Sequence, residues 1–411
     1  MIRFRSSAII LSIIFTLTAS PVKAAAAGPG TSWTSPQDPY SSYQWSLKND
    51  GSFQVSDLMK KFPSINFSRG FPQSSKDAVY LPISSIFSTE DASRKAVSGV
   101  DINISSAWEQ YSASEAPKRE VIVALIDTGV DTLHPDLANS LWVNPGEIPG
   151  DGIDNDGNGY VDDINGWNFY MNQPSLCSGN EDSHGTHTAG IIAAGRGDGG
   201  IAGIAGNTQV KVMVLKVLGG PMGIGSPESV IKAIQYAEAN GASICNLSFG
   251  TSRYFENLAQ TIENSKMLFV IASGNGDKGG NGLDSDLSPV YPASFPFDNI
   301  ISVASVSWDG TLVKSSNYGL NSVDIAAPGS YILSTVPGER YAFFSGTSMA
   351  APMVTGSAAL LYSYRTDFGL ADVKNVLLAT STPLESLNGK ILSGGLLNVG
   401  AAMNWGNESV Q

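Results

Sequence analysis

A carboxylate, an imidazole and a hydroxyl stand at three distant points of the chain, each inside a short stretch of small residues. Asp127 lies in Leu125-Ile126-Asp127-Thr128-Gly129-Val130-Asp131, His184 in Ser183-His184-Gly185-Thr186-His187-Thr188-Ala189-Gly190, and Ser348 in Ser345-Gly346-Thr347-Ser348-Met349-Ala350-Ala351-Pro352. These three residue types can share one reaction. A serine hydroxyl attacks a carbonyl slowly near neutral pH unless a neighbouring base takes its proton. An imidazole serves as that base when a carboxylate fixes its tautomer and stabilises the imidazolium. The chemistry open to such a set is acyl transfer through a covalent ester.

Side chains so far apart in sequence need a rigid frame. Residues 121–126, Val-Ile-Val-Ala-Leu-Ile, form an unbroken apolar run, the pattern of a strand buried on both faces of a parallel sheet, with Asp127 at its carboxyl end. Residues 210–217, 243–248, 268–272, 300–306 and 323–326 read as further strands. Between them lie helical patterns, notably 227–239, with Ser226 as N-cap and Gly241 just past the end. Alternating strands and helices predict the α/β class: a doubly wound, mostly parallel sheet flanked by helices, here preceded by an N-terminal extension. Ligands bind such sheets beyond the carboxyl ends of the strands, where Asp127, Ser248 and the Gly274-Asn275 turn all fall.

The order Asp, His, Ser, with these flanks, resembles the subtilisin-like serine proteases, the subtilases. The likeness covers residues 101–403, and 36–50 as well. It implies a serine endopeptidase working through an acyl-enzyme, with Asp127, His184 and Ser348 as its triad and His184, not His187, as the base. It further implies that Asn275, in Ala272-Ser273-Gly274-Asn275-Gly276, donates to the oxyanion of the tetrahedral intermediate. Ser248, Phe249, Gly250 and Gly274 match the family's substrate-binding segments. A second edge is expected around Gly223 to Gly225, where this chain carries an extra residue. Substrate is expected to bind as an added strand, because cleavage requires an extended peptide with its carbonyl exposed. Val290, before Tyr291-Pro292, replaces the small residue often found at the floor of the main pocket. That substitution predicts a shallow pocket for small or medium apolar side chains.

Residues 151–163 hold five carboxylates among thirteen residues, a crowding that calls for a cation. Asp154, Asp156, Asn158, the carbonyl of Tyr160 and Asp162 fall at the first, third, fifth, seventh and ninth positions of an EF-hand-like loop, with Gly159 at the sharp turn. Calcium is the expected cofactor. Position twelve is Asn165 rather than Glu, so the bidentate ligand must come from elsewhere, with Asp163 and Asp151 as candidates. A calcium loop that many subtilases place after the His helix is here Gly195-Arg196-Gly197-Asp198-Gly199-Gly200, without their Asn ligand.

Length and charge bound the rest. A chain of 411 residues accommodates one α/β catalytic domain plus an extension. Basic Arg3 and Arg5, the apolar run Ala8 to Ala19 and the exit Val22-Lys23-Ala24 read as an export signal over 1–24, so an extracellular protein without a membrane anchor is expected. Residues 25–100 are either the start of the mature domain plus an insertion over 51–98, or a propeptide; residues 404–411 form a C-terminal tail. A formal charge of −13 disfavours nucleic acid and anionic lipid. The partners expected are polypeptide substrates, with the enzyme itself a monomer. The two cysteines, Cys177 and Cys245, read as free thiols.

Three other signals carry less. Arg196-Gly197-Asp198 spells an adhesion tripeptide, which leaves a non-catalytic, calcium-dependent adhesion or structural protein on the same scaffold as the alternative function. His184 and His187 lack the Glu and third ligand of a zinc peptidase. Gly346-Thr347-Ser348-Met349-Ala350 lacks the second Gly of a lipase elbow.

Overall fold

Alternate residues of the first long strand, β1 (Val121–Asp127), belong to two different cores. Val123 and Leu125 pack on one face, Ala124 and Ile126 on the other, and all four are fully buried. This is why the run has no polar alternation: neither face meets water. The computed structural model describes residues 38–61, 93–220 and 222–406. The expected export signal over 1–24, most of the stretch 51–98 expected as an insertion or part of a propeptide, and the end of the expected tail lie outside the described residues.

After helices α1 (Val55–Lys61) and α2 (Ile104–Ala113) the chain runs through β1, β2 (Gly166–Asn168), α3 (Ser183–Ala193), β3 (Val210–Lys216), α4 (Pro227–Ala239), β4 (Ile244–Leu247), α5 (Glu256–Asn264), β5 (Leu268–Ala272) and β6 (Ile300–Val306). It continues through β7 (Ile325–Pro328), the hairpin of β8 (Ile332–Val336) and β9 (Arg340–Phe344), α6 (Thr347–Tyr364), α7 (Leu370–Ala379), β10 (Thr382–Pro383), β11 (Gly395–Leu396) and α8 (Val399–Met403). Nine strands form one sheet in the order β10-β11-β7-β6-β5-β4-β1-β3-β2. Neighbours are parallel throughout, except that β10 is antiparallel to β11. Helices α2, α3, α6, α7 and α8 cover one face, and α4 and α5 the other. The expected α/β architecture, a large mostly parallel sheet flanked by helices, is the one found.

β1 lies between β3 and β4, so successive crossovers leave it in opposite directions and open a crevice at its carboxyl end. Asp127 ends β1, Ser248 follows β4, and Gly274-Asn275 follow β5, all around that crevice. Helix α4 starts as its sequence predicts: Ser226 Oγ accepts from Ser229 N at 3.1 Å and Pro227 occupies the first turn. The segment from 38 to 61 packs into the body of the fold. Trp45, Leu47, Phe53, Val55 and Leu58 join the core shared with α6, and Trp45 Nε1 donates to the Ser330 carbonyl at 2.9 Å.

Candidate active site

Asp127 and His184 meet because α3 is pressed against the turn that follows β1. A Cβ added at Gly185 would lie 2.2 Å from the Gly129 carbonyl oxygen, so only glycine permits this approach. Gly185 N then donates to Thr128 Oγ1 at 3.0 Å. With the helix so placed, His184 Nδ1 lies 2.7 Å from Asp127 Oδ1 and 3.0 Å from Oδ2, and both side chains are buried. Thr128 N donates to Asp127 Oδ1 at 2.6 Å and fixes the carboxylate. A carboxylate facing Nδ1 places the proton there, which leaves Nε2 as the acceptor. Nε2 is buried and has no hydrogen-bond partner among the described residues.

Ser348 is the second residue of α6, whose side packs against α3. Its Oγ donates to the Ser248 carbonyl at 2.9 Å. The preceding residue organises the other candidate donor: Thr347 N and Thr347 Oγ1 both donate to Asn275 Oδ1, at 2.9 and 3.1 Å. Because the nitrogen of a carboxamide cannot accept, the oxygen of Asn275 must face the Thr347 N–H, so the orientation of the amide is fixed and Nδ2 is its opposite end. Asn317 holds the surrounding loop, its Oδ1 accepting from Gly276 N and Leu283 N, each at 2.9 Å, while its Nδ2 donates to the Ser273 carbonyl at 3.0 Å. Neither Thr347 nor Asn317 was singled out from sequence. Thr347 could have been, since it adjoins the candidate nucleophile; Asn317 carries no local signal.

His187 lies elsewhere. Its Nε2 is 3.0 Å from the carbonyls of both Ile332 and Ala342, and its ring stacks on Phe344 at 4.3 Å. Complete burial depresses its pKa to about 3, so it is a neutral tie between α3 and the β8–β9 hairpin. His134 is also buried; its Nε2 lies 3.2 Å from the Arg340 carbonyl and its Nδ1 accepts from Asp136 N at 3.3 Å.

The candidate substrate groove has two edges. On one, Ser248 and Gly250 offer backbone, while the Phe249 side chain is buried in the core beneath. Thr251 and Tyr291 exchange backbone hydrogen bonds of 2.8 and 2.7 Å, which brings Val290 alongside. A Cβ built on Gly250 would lie 2.8 Å from Val290 Cγ1, and one on Gly274 would lie 3.6 Å from the same atom. Val290 thus fills the gap between the two glycines. On the other edge, Gly219 and Ile224 bridge antiparallel at 3.2 and 3.1 Å, with Gly223 inside the turn.

This combination of parallel sheet, Asp-His pair and helix-borne serine has a match. The subtilase family model fits residues 118–395. The chain belongs to the subtilase family. It is 34% identical over 313 residues to "Subtilisin-like protease 2" of Plasmodium falciparum, covering 74% of this chain but 22% of that protein. It is 38% identical over 250 residues to "Major intracellular serine protease" of Bacillus subtilis, covering 60% of this chain and 69% of the relative. With "Alkaline protease" of Alkalihalobacillus alcalophilus it shares 34% over 285 residues, 69% of this chain and 64% of that protein.

This subtilase also carries an acidic loop. One carboxylate oxygen each from Glu147, Asp154 and Asp156 lie within 4.8 Å of one another. Glu147 was not among the expected ligands. It stands four residues before Asp151, and its Oε1 accepts from Asn155 N at 2.8 Å and its Oε2 from Asp162 N at 3.0 Å, drawing it into the loop. Asp162 turns instead to Gly150 N and Gly152 N, at 2.7 and 3.1 Å, and clasps the loop's base. Asp163, one candidate for the missing bidentate ligand, is buried and accepts from Asn144 Nδ2, Asn158 Nδ2 and Tyr236 OH at 2.8, 2.9 and 2.5 Å. Asn158 spends its amide on Asp156 and Asp163, and its Oδ1 accepts from Tyr160 N at 2.8 Å. The Tyr160 ring packs edge-on against Trp167, Phe169 and Tyr236, anchoring the loop to α4. Three hard oxygens so close fit a divalent cation of the calcium type, which Glu147, Asp154 and Asp156 would hold.

The second glycine-rich loop is closed by Asp38, whose carboxylate accepts from Gly197 N at 3.0 Å and Gly199 N at 3.3 Å. Arg196 is buried with its guanidinium 4.4 Å from the Trp108 ring centroid, so the adhesion tripeptide is not displayed. Cys177 and Cys245 are free thiols. No helix among the described residues is long and apolar enough to cross a membrane.

Proposed function

We propose that this subtilase is an exported, calcium-stabilised serine endopeptidase that hydrolyses peptide bonds through an acyl-enzyme, with Asp127, His184, Ser348 and Asn275 as its machinery. The observation that carries this is the buried Asp127–His184 pair, which leaves a bare Nε2 in a helix packed against the one that bears Ser348. Rotation about the Ser348 Cα–Cβ bond would release Oγ from Ser248 and direct it to Nε2. The imidazole takes the proton as Oγ attacks the substrate carbonyl carbon, and Asp127 stabilises the imidazolium. The oxyanion is met by Asn275 Nδ2 and by backbone N–H at the start of α6, where the helix dipole is positive. Collapse expels the amine with the proton from His184, and water then cleaves the ester by the same route in reverse.

Val290 between Gly250 and Gly274 supports a shallow main pocket that takes small or medium apolar side chains. Calcium, when bound, would neutralise the 147–156 carboxylates and rigidify that loop. The burial of Trp45, Leu47 and Phe53 supports the segment 38–61 as part of the mature enzyme rather than a discarded propeptide. The alternative, an adhesion or structural protein, is disfavoured by the buried Arg196.

The test is a serine-reactive fluorophosphonate together with peptide hydrolysis. The parent should label at Ser348. Ser348→Ala or His184→Ala should lower hydrolysis roughly 10⁴- to 10⁶-fold, the upper end being the magnitude that the same substitutions have in subtilisin. Asn275→Leu should lower turnover about 10²- to 10³-fold with little change in KM, again a subtilisin value. Near-normal hydrolysis by Ser348→Ala would overturn the assignment.

A further inference from the structure

Lys216 ends β3, stands in register with Asp127, and is completely buried. A buried ammonium is unfavourable unless it is paired, and this one makes two charge-assisted contacts. Its Nζ donates to the carboxylate of Asp182 and to the carbonyl of Thr128, while the partly exposed Glu181 carboxylate stands 3.9 Å away. Asp182 is itself fully buried. Its Oδ2 accepts from Ser178 N at 2.5 Å and its carbonyl accepts from Thr186 Oγ1 at 2.8 Å.

Those two contacts fall on the two segments that carry the proposed acid and base. Thr128 follows Asp127, donates to its Oδ1, and accepts from Gly185 N, the residue after His184. Asp182 precedes α3 and lies two residues before His184. The interface between these segments has no slack: a Cβ on Gly129 would lie 2.9 Å from Asp182 Oδ1 and 3.1 Å from Lys216 Cδ. No step of the proposed hydrolysis uses Lys216. Stability does not in general require such a pair, since both partners of a buried ion pair can often be replaced together by uncharged residues without loss, although removing one alone is costly.

We propose that Lys216 is a positioning residue: its ammonium ties the Thr128 carbonyl to the Asp182 carboxylate and thereby fixes the Asp127–His184 hydrogen bond in the geometry of turnover. It touches neither substrate nor the reacting atoms. The inference rests on the triad proposed above and adds a residue whose effect passes through it.

The test compares the parent with Lys216→Met, Asp182→Asn and the double variant, using peptide hydrolysis normalised to active sites titrated with a fluorophosphonate. Loosening the pair should lower kcat per titrated site about 10- to 100-fold, the scale of an ångström-sized misplacement, while KM stays within about twofold. The rate of fluorophosphonate labelling should fall in parallel, because it depends on the same base. The double variant should lose no more than the worse single, since both substitutions cut one tie. Lys216→Met leaves the Asp182 carboxylate buried without its cation and can fail to fold; the double variant removes both charges and then decides. An unchanged kcat per titrated site in the folded double variant, even with a lowered melting temperature, would reduce Lys216 to a structural role and overturn the proposal. Ser348→Ala is run alongside: full hydrolysis there would bring down the triad itself, and the positioning role with it, whatever the Lys216 variants do.

Discussion

Ser248 and Ser348 hold each other by a reciprocal pair of hydrogen bonds, Ser348 Oγ to the Ser248 carbonyl at 2.9 Å and Ser248 Oγ to the Ser348 carbonyl at 3.0 Å. The second bond follows from the sequence of α6. Pro352, four residues after Ser348, has no N–H to give the Ser348 carbonyl, so the helix leaves that oxygen without its usual partner. The Ser248 hydroxyl supplies one, and itself accepts from Asn246 Nδ2 at 2.9 Å. The candidate substrate edge and the candidate nucleophile are thus locked together.

Ser248→Ala should therefore destabilise the enzyme by about 1 to 3 kcal/mol, the penalty of a buried acceptor left unmade. Pro352→Ala restores a helical N–H and should return part of that loss in the Ser248→Ala background. Thermal unfolding of the two single variants and the double is the measurement; strictly additive effects would show that the Ser348 carbonyl is not their common point.

Val290→Gly should deepen the pocket between Gly250 and Gly274. Relative kcat/KM for a peptide with phenylalanine before the cut, against one with alanine, should rise by about tenfold or more, since a missing methylene in an apolar pocket changes selection by about 1 to 3 kcal/mol. An unchanged ratio would mean that the side chain before the cut does not reach Val290.

Metal removal should lower the unfolding temperature. An ion bound only by the native loop stabilises by about 2.7 kcal/mol at a hundredfold excess over its dissociation constant. Glu147→Gln and Asp156→Ala should each abolish most of the response to added calcium, read by unfolding temperature and by direct calorimetric titration. If Glu147→Gln retains the parent's response, the ion sits elsewhere in the chain.

His187 predicts a pH dependence with a definite sign. Its folded pKa is lowered from 6.5 to about 3, because burial between α3 and the β8–β9 hairpin penalises the cation. Between those values the unfolded chain binds a proton that the folded one refuses, so stability falls as pH drops through this window and is retained above it. The full effect approaches about 5 kcal/mol at about 1.4 kcal/mol per unit. His187→Gln keeps a donor for the Ile332 and Ala342 carbonyls but cannot protonate. It should be less stable than the parent at neutral pH, having lost the Phe344 stack, and should show a shallower decline of unfolding temperature from pH 6.5 to 4. Equal slopes would assign the acid sensitivity to other groups.

Much of the sheet was legible locally. A strand buried on both faces writes itself as an apolar run, and the expected strands over 268–272 and 300–306 coincide with β5 and β6. The expected 323–326 is found two residues later, at Ile325–Pro328: Val323 is buried and so reads as strand, but Asp324 breaks the apolar run, its side chain accepting from Ser302 N at 2.7 Å. β2 has three residues and β10 and β11 two each, too few for any period to register. The β8–β9 hairpin was missed although Pro337-Gly338 marks its turn.

The α/β class, the family and the candidate acid, base and nucleophile were all readable from the amino-acid order, because each motif needs only a few neighbouring residues to place a side chain at a strand end or a helix start. Tertiary structure alone decided the partners. Glu147 joins Asp154 and Asp156 while Asp162 turns away, Asp163 is claimed by Tyr236, and Lys216 reaches across to Asp182 and Thr128. A buried charge must find its complement wherever packing brings one within reach, and that depends on how distant loops close over the sheet. Periodicity records which face of an element is dry; it does not record which residue waits on the other side.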